Sequence, residues 1–303
     1  MKKRILFILV LLVSMFPSHA CDICGCGTGN YYIGNLPQFN QKFIGLRHQY
    51  KYFTTHLKDN PEQFSKDFFQ TTELWGGWNL GKKWQALVFV PYNIIHQKTD
   101  DGIMNHSGLG DVALMINYKL FDLASSTGNK KLVTQQLWLG GGIKLPTGKF
   151  NVDIAGPEII ALSNSQAGTG SMDFMLNLIH NLRISKFGLS TNLNYKINNT
   201  NLDEYKFGNR FTASSFAFYS ISKNETIISP NIGMMYEHSS FNTLEKTKVE
   251  ETNGYLLAGS AGIEVGFNKI SVGANIQLPF AQDFASGQTK LSSRGMIHLS
   301  FSF

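Results

Sequence analysis

Charge is scarce in this chain. Of 303 residues, 27 are Lys or Arg and 21 are Asp or Glu, for a formal net charge of +6. Half of that excess sits in Lys2, Lys3 and Arg4, a stretch without an acid, so the remainder carries only about +3. Such a weak and scattered balance excludes a nucleic-acid footprint. Low charge together with 29 glycines also excludes a coiled coil or a disordered chain. Long apolar runs are missing as well. Only Ile5–Phe16 is almost wholly apolar, and it is too short to span a bilayer as a helix. If the chain enters a membrane, it does so as strands. Cysteine is the third scarcity, with three residues packed into Cys21–Cys26 and none elsewhere to pair with them.

The start of the chain reads as an address. Lys2-Lys3-Arg4 is a basic n-region, Ile5–Phe16 an apolar core and Ser18-His19-Ala20 a small-x-small cleavage site. Residues 1–20 therefore form a secretory signal peptide. Cys21 follows the site, which raises a lipid anchor. Ser18 stands where a lipobox carries a large aliphatic residue.

What is abundant is period-two alternation. In 109–120, Val112, Leu114, Ile116, Tyr118 and Leu120 alternate with Asp111, Ala113, Met115, Asn117 and Lys119. In 187–197, Leu189, Thr191, Leu193, Tyr195 and Ile197 alternate with Gly188, Ser190, Asn192, Asn194 and Lys196. Twelve such segments are expected, at 43–53, 67–79, 84–97, 109–120, 134–145, 174–184, 187–197, 207–222, 226–238, 254–267, 270–279 and 294–303. Segments 67–79, 207–222 and 226–238 alternate poorly. Short connections alternate with long ones, with one exception at Phe121–Val133. Aromatics gather toward segment ends, as at Tyr50, Tyr52, Trp75, Trp78, Trp84 and Phe301. The expected fold is all-β. It is one closed antiparallel transmembrane barrel of about twelve strands, with short periplasmic turns and long extracellular loops. Mean hydropathy is −0.11, which fits a barrel as well as a soluble protein, because lipid-facing and lumen-facing residues cancel. Residues 21–42 form a periplasmic arm and 43–303 the barrel. The competing fold is a secreted β-sandwich, which has no need of asymmetric loops.

On this register Glu73, Asp111, Lys119, Lys144, Arg183, Lys196 and Glu264 point into the lumen. Ionisable groups at membrane depth persist by pairing or by lining water, so they read as a bracing network or a polar constriction. A closed or narrow pore is the favoured state. No two histidines share ligand spacing on one strand. His56 and His106 fall in expected loops, and His180 on the apolar face beside Leu178 and Leu182. Ser190 and Ser215 share no motif with His180, so the chain does not read as an enzyme. Gly156–Ser171 reads as part of a long extracellular loop, and Glu245–Glu251 as a solvated loop face.

Cys21, Cys24 and Cys26 form a C-x-x-C-x-C loop with Gly25 and Gly27. Three soft thiolates, with a free α-amine if cleavage follows Ala20, suit Cu(I) or Zn(II). A disulfide between two of them, a lipid on Cys21 and an idle terminus are the alternatives.

Several phrases resemble a known family. They are Gly108-Leu109-Gly110-Asp111, Gly142-Ile143-Lys144-Leu145-Pro146-Thr147-Gly148, Gly168-Thr169-Gly170-Ser171-Met172-Asp173 and Leu193-Asn194-Tyr195-Lys196. In this order they look like the outer-membrane transporter-like family grouped with the MetA pathway of phenol degradation. The N-terminal Cys-Asp-x-Cys-Gly-Cys, with Leu36–Phe39 and Gly45–Arg47, resembles one subgroup of it. The alternating last strand, ending at Phe303, resembles the terminal signal of bacterial outer-membrane barrels. The resemblance implies that the barrel-assembly machinery reads that strand. It also implies a barrel in the outer membrane of a Gram-negative bacterium, in contact with its lipid, that passes a small-molecule solute. A closed, metal-binding barrel without transport is the second functional reading, and an outer-membrane enzyme the third.

Overall fold

The computed structural model describes residues 42–56, 64–99, 102–126, 132–150 and 166–303. Residues 1–41, with the expected signal peptide and the three cysteines, lie outside the described residues.

Twelve long antiparallel strands close into a barrel. The first four wall strands are β1 (Phe43–His56), β2 (Phe64–Leu80), β3 (Trp84–Thr99) and, after the short β4 (Gly102–Leu109), β5 (Ala113–Ser126). Next come β6 (Leu132–Lys144), β7 (Asp173–Ile184) and β8 (Phe187–Ile197). After the two-residue β9 (Tyr205–Lys206) the wall continues with β10 (Arg210–Tyr219), its extension β11 (Ile221–Lys223) and β12 (Thr226–Ser239). Two short strands, β13 (Thr243–Leu244) and β14 (Thr247–Lys248), precede β15 (Gly254–Phe267), β16 (Ile270–Phe284) and β17 (Thr289–Ser302). The ring closes where β1 pairs with β17, from Phe43 opposite Ser302 to Thr55 opposite Thr289. In hydrocarbon a sheet can pair all its backbone groups only by closing in this way.

Alternation sets the two faces. Ile44, Leu46, Leu74, Ile116, Leu176, Val272, Ile276, Ile297 and Leu299 are exposed on the outside. Their inward neighbours Phe43, Arg47, Glu73, Trp75, Met115, Asn117, Met175 and His298 are buried. The expected register therefore holds, including on poorly alternating β2, where Asp67, Phe69, Glu73 and Trp75 all face in. Its pattern is weak because β2 carries Thr71, Thr72, Gly76 and Gly77 in place of an aliphatic series.

Both described chain ends lie at the same end of the barrel, with Phe303 N donating to Lys42 O at 3.0 Å. This is the near end, and the opposite one is the far end. The long Phe121–Val133 connection expected at the near end is in fact short. β5 runs on to Ser126 and β6 starts at Leu132, and these strand extensions are mostly exposed and lack the apolar alternation that marks the wall. The segment after Gln97, expected to be a far-end loop, is strand as well. Thr99 opposite Gly102 opens a hairpin in which β4 pairs with β3. Its residues are exposed on both sides, so no apolar period marks it. Of the expected Glu245–Glu251 loop face, Thr247–Lys248 pairs with Thr243–Leu244, and Lys248 bridges the exposed Glu250 at 3.1 Å.

Candidate functional site

The inward residues fall into two apolar clusters and several ionic ones. Phe43, Trp75, Leu87, Phe89, Met115, Trp138, Met175 and Ile179 pack together on the β1–β7 side. Toward the far end Phe53, Phe69, Ile95, Met235, Leu256, Phe284 and Leu291 form a second cluster. Gln85 and Asn117 are 0% exposed between strands of the first group, so side chains, not water, fill this part of the lumen.

The opposite wall is different. From β12 to β17 the inward positions include Ser229, Asn231, Ser260, Glu264, Ser271, Asn275, His298 and Ser300, all buried. Among the described residues Asn231 Oδ1, Ser271 Oγ, Ser300 Oγ and His298 Nδ1 have no hydrogen-bond partner. Glycines 262 and 273 keep this wall thin, and a Cβ on Gly262 would lie 2.7 Å from Ala274 O.

The densest polar site lies at the far end of β5–β8, and it joins the phrases that were distant in sequence. Asp111 is at its centre. Its Oδ2 accepts from Lys144 Nζ at 2.6 Å, from Thr169 N at 2.9 Å and from Thr169 Oγ1 at 2.8 Å. Its Oδ1 accepts from Gly148 N at 3.0 Å. Lys144 Nζ also contacts Thr169 Oγ1 and lies 2.9 Å from Asp173 Oδ2. Asp173 pairs in turn with Lys196 at 3.3 Å and accepts from Ser171 Oγ at 2.8 Å and Asn199 N at 3.0 Å. All four ionic side chains are almost wholly buried. Two carboxylates and two ammonium groups thus compensate one another, as buried charges must.

Backbone crowding explains the glycines of these phrases. A Cβ on Gly148 would stand 2.7 Å from Gly168 Cα and 2.9 Å from Leu109 O. One on Gly168 would stand 2.6 Å from Gly148 C and 2.7 Å from Asp111 Oδ1. The two chains cross in contact, and only a residue without a side chain fits. Gln166–Ser171, expected to belong to a loose loop, is instead pinned in the mouth of the barrel. Asn93 Nδ2 on β3 donates to Ala167 O at 2.8 Å, and Asn201 Nδ2 donates to Thr169 O at 3.1 Å. A small cap stands above it, where Tyr205 and Phe207 pack with Phe150 and Leu244.

Residues 62–288 match the family described as "Putative MetA-pathway of phenol degradation". The chain belongs to this family. It is similar in structure to the COG4313 outer membrane channel from Pseudomonas putida F1, at 14% identity and a TM-score of 0.59, covering 87% of this chain and 96% of that one. The β domain of the Bordetella autotransporter BrkA matches at 11% identity and a TM-score of 0.51, covering 87% of this chain and all of that one. Both likenesses are of fold. No curated protein matches the chain.

Among the other inward charges expected from sequence, Glu73 is buried against Arg47, whose guanidinium lies 5.1 Å from the Trp75 ring centre. Glu264 accepts from His298 Nε2 at 2.9 Å. Lys119 pairs with Asp122 at 2.8 Å near the near end. Arg183 is exposed, and its Nε donates to Ser185 O at 3.0 Å, apart from these clusters. Sequence reasoning missed Arg47, Asp173, Thr169 and His298, together with Arg210 and Arg294, which flank Glu237 at 3.4 and 3.3 Å. Inward parity counted from Phe43 would have found Arg47. Even parity counted back from Ser302 through His298 and Met296 would have found Arg294, since the register shift opposite Tyr52 and Phe53 lies beyond it.

His180 does lie on the outer face, where its Nε2 is 2.8 Å from Gln135 Nε2. Ser215 Oγ bonds Thr191 Oγ1 at 3.0 Å, and Ser190 Oγ donates to Asn181 Oδ1 at 2.8 Å. These partners leave no Ser–His pair among them. Among the described residues Ser190, Ser215 and His180 thus form no nucleophile–base pair. Nor do three or more His, Cys, Asp or Glu side chains group there.

If the Asp111 cluster pins the mouth segment, Gly168→Ala should loosen it while sparing the wall strands. The expected cost is roughly 1–3 kcal/mol of overpacking. Limited proteolysis of the folded barrel should cut faster between β6 and β7 in the variant. Equal cleavage rates would contradict the account.

Proposed function

We propose that the protein is an outer-membrane β-barrel that passes a small solute, with its near end in the periplasm and its resting pore narrow. The polar β12–β17 wall carries this reading. It places buried hydroxyl, amide and imidazole groups without a hydrogen-bond partner among the described residues on the inward face, across from an apolar, aromatic wall. A solute path with one wettable and one apolar side suits a small amphipathic molecule. Family membership and the channel-like fold of the Pseudomonas relative support the same reading. The segment pinned by Asp111 and Lys144 sits at the far mouth of the barrel and on this reading acts as its gate. On this reading Phe303, at the end of the last strand, presents the assembly signal, and the exposed aliphatic belt contacts outer-membrane lipid.

Proteoliposomes holding the mature protein should leak small solutes slowly. Asp111→Asn, which keeps the shape but removes a charge from the latch, should raise that flux severalfold. Vesicles that stay sealed to every solute with both proteins would contradict the reading.

The filled β1–β7 half of the lumen favours a second reading, a closed barrel whose role lies in its arm. There Cys21, Cys24 and Cys26 capture one soft ion, Cu(I) or Zn(II). Reduced mature protein should then bind about one equivalent, and Cys24→Ser/Cys26→Ser should lose it. Equal metal content in the two proteins would exclude the arm as a metal site.

A further inference from the structure

The near end carries a recess that neither the lumen path nor the latch uses. It forms where the tight turn between β2 and β3 meets a bulge in β5. Gly81 turns the chain with φ +75, a conformation that favours glycine. Lys119 N donates to Lys83 O at 2.7 Å and ties the turn to β5. The register of β5 on β6 slips between Lys119 and Phe121. A hollow of about 670 Å³ opens there, lined by Lys82, Lys83, Trp84, Lys119, Phe121 and Trp138 among others. Its volume is in the range of small-ligand sites.

Its charge is one-sided. Lys82, Lys83 and Lys119 stand against one acid, Asp122. That carboxylate is already engaged, by Lys119 at 2.8 Å and by Gln136 Nε2 at 3.1 Å. Lys119 also lies 4.8 Å above the Trp138 ring centre. Lys83 Nζ reaches Tyr118 OH at 3.4 Å, a neutral partner. Lys82 and Lys83 therefore have no carboxylate partner among the described residues. Beside them Leu80, Trp84 and Leu120 are exposed on the outer face, where acyl chains lie. Tryptophan and lysine together at a barrel rim mark the headgroup level of a bilayer.

We infer that this recess binds the phosphate headgroup of an anionic phospholipid from the periplasmic leaflet. Lys82 and Lys83 hold the phosphate, and Leu80, Trp84 and Leu120 carry the acyl chains. Two or three lysines facing one anion favour it over a zwitterionic headgroup. The inference shares the membrane orientation of the proposed function and is independent of solute passage.

The test is native mass spectrometry of the full mature chain in neutral detergent, with equimolar phosphatidylglycerol and phosphatidylcholine. Phosphatidylglycerol should be retained with roughly tenfold preference. Lys82→Gln/Lys83→Gln, confined to an exposed turn, should remove most of that preference, and each single variant part of it. The heat-dependent gel mobility of a folded barrel confirms that the variants fold. Equal retention of the two lipids by the parent protein, or an unchanged preference in the variants, would overturn the inference. So would displacement of the lipid by millimolar inorganic phosphate, which would assign the recess to a free anion.

Discussion

Along the seam between β1 and β17, Phe43 faces Ser302, Arg47 faces His298 and Phe53 faces Leu291. That pairing turns an open sheet into a ring, and the other features follow from it. A closed sheet leaves no edge whose N–H and C=O groups would be stranded in hydrocarbon. It also forces every second side chain inward. The inward set must then be packed or paired, and this chain does both. Aromatic and methionine side chains fill the β1–β7 side. Ion pairs such as Arg47 with Glu73 cross between strands, and small polar residues line β12–β17.

The latch is the second consequence. At the far end of β5–β8, Gly148 and Thr169 of the β6–β7 connection both donate to Asp111. A buried charge is tolerated there because it is fully compensated. Lys144 lies between Asp111 and Asp173, and Asp173 between Lys144 and Lys196. Removing one member leaves its neighbours buried and unpaired, at a typical cost of about 3–5 kcal/mol. Such a cluster stays rigid while intact and becomes unstable as soon as it is broken.

Much of the wall was legible in the sequence. Phe43, Arg47, Trp75, Met115, Met175 and His298 fall on the inward parity, and the twelve expected segments coincide with the twelve wall strands. The far-end hairpin was not legible, because Gly102–Leu109 is wetted on both sides and carries no apolar period. Beyond Leu120 the count fails, because β5 slips against β6 there and a one-residue insertion defeats any parity carried past it. For the site the position is reversed. Asp111, Lys144 and Lys196 could each be read as inward-facing, but nothing local says that Asp111 meets Thr169, which is 58 positions away. The glycines 148 and 168 looked like ordinary turn residues. Their need for a missing side chain comes from each other.

The central claim is that the segment from Gln166 to Ser171 is a fixed part of the barrel mouth, held through the Asp111 carboxylate. Hydrogen exchange of the folded protein in detergent reads this directly, because the amides of Gly148 and Thr169 both donate to Asp111. Peptides covering 166–172 should exchange on the slow timescale of the wall strands and lose that protection when Asp111 becomes Asn. Exchange as fast as that of an unstructured loop in the unaltered protein would contradict the account.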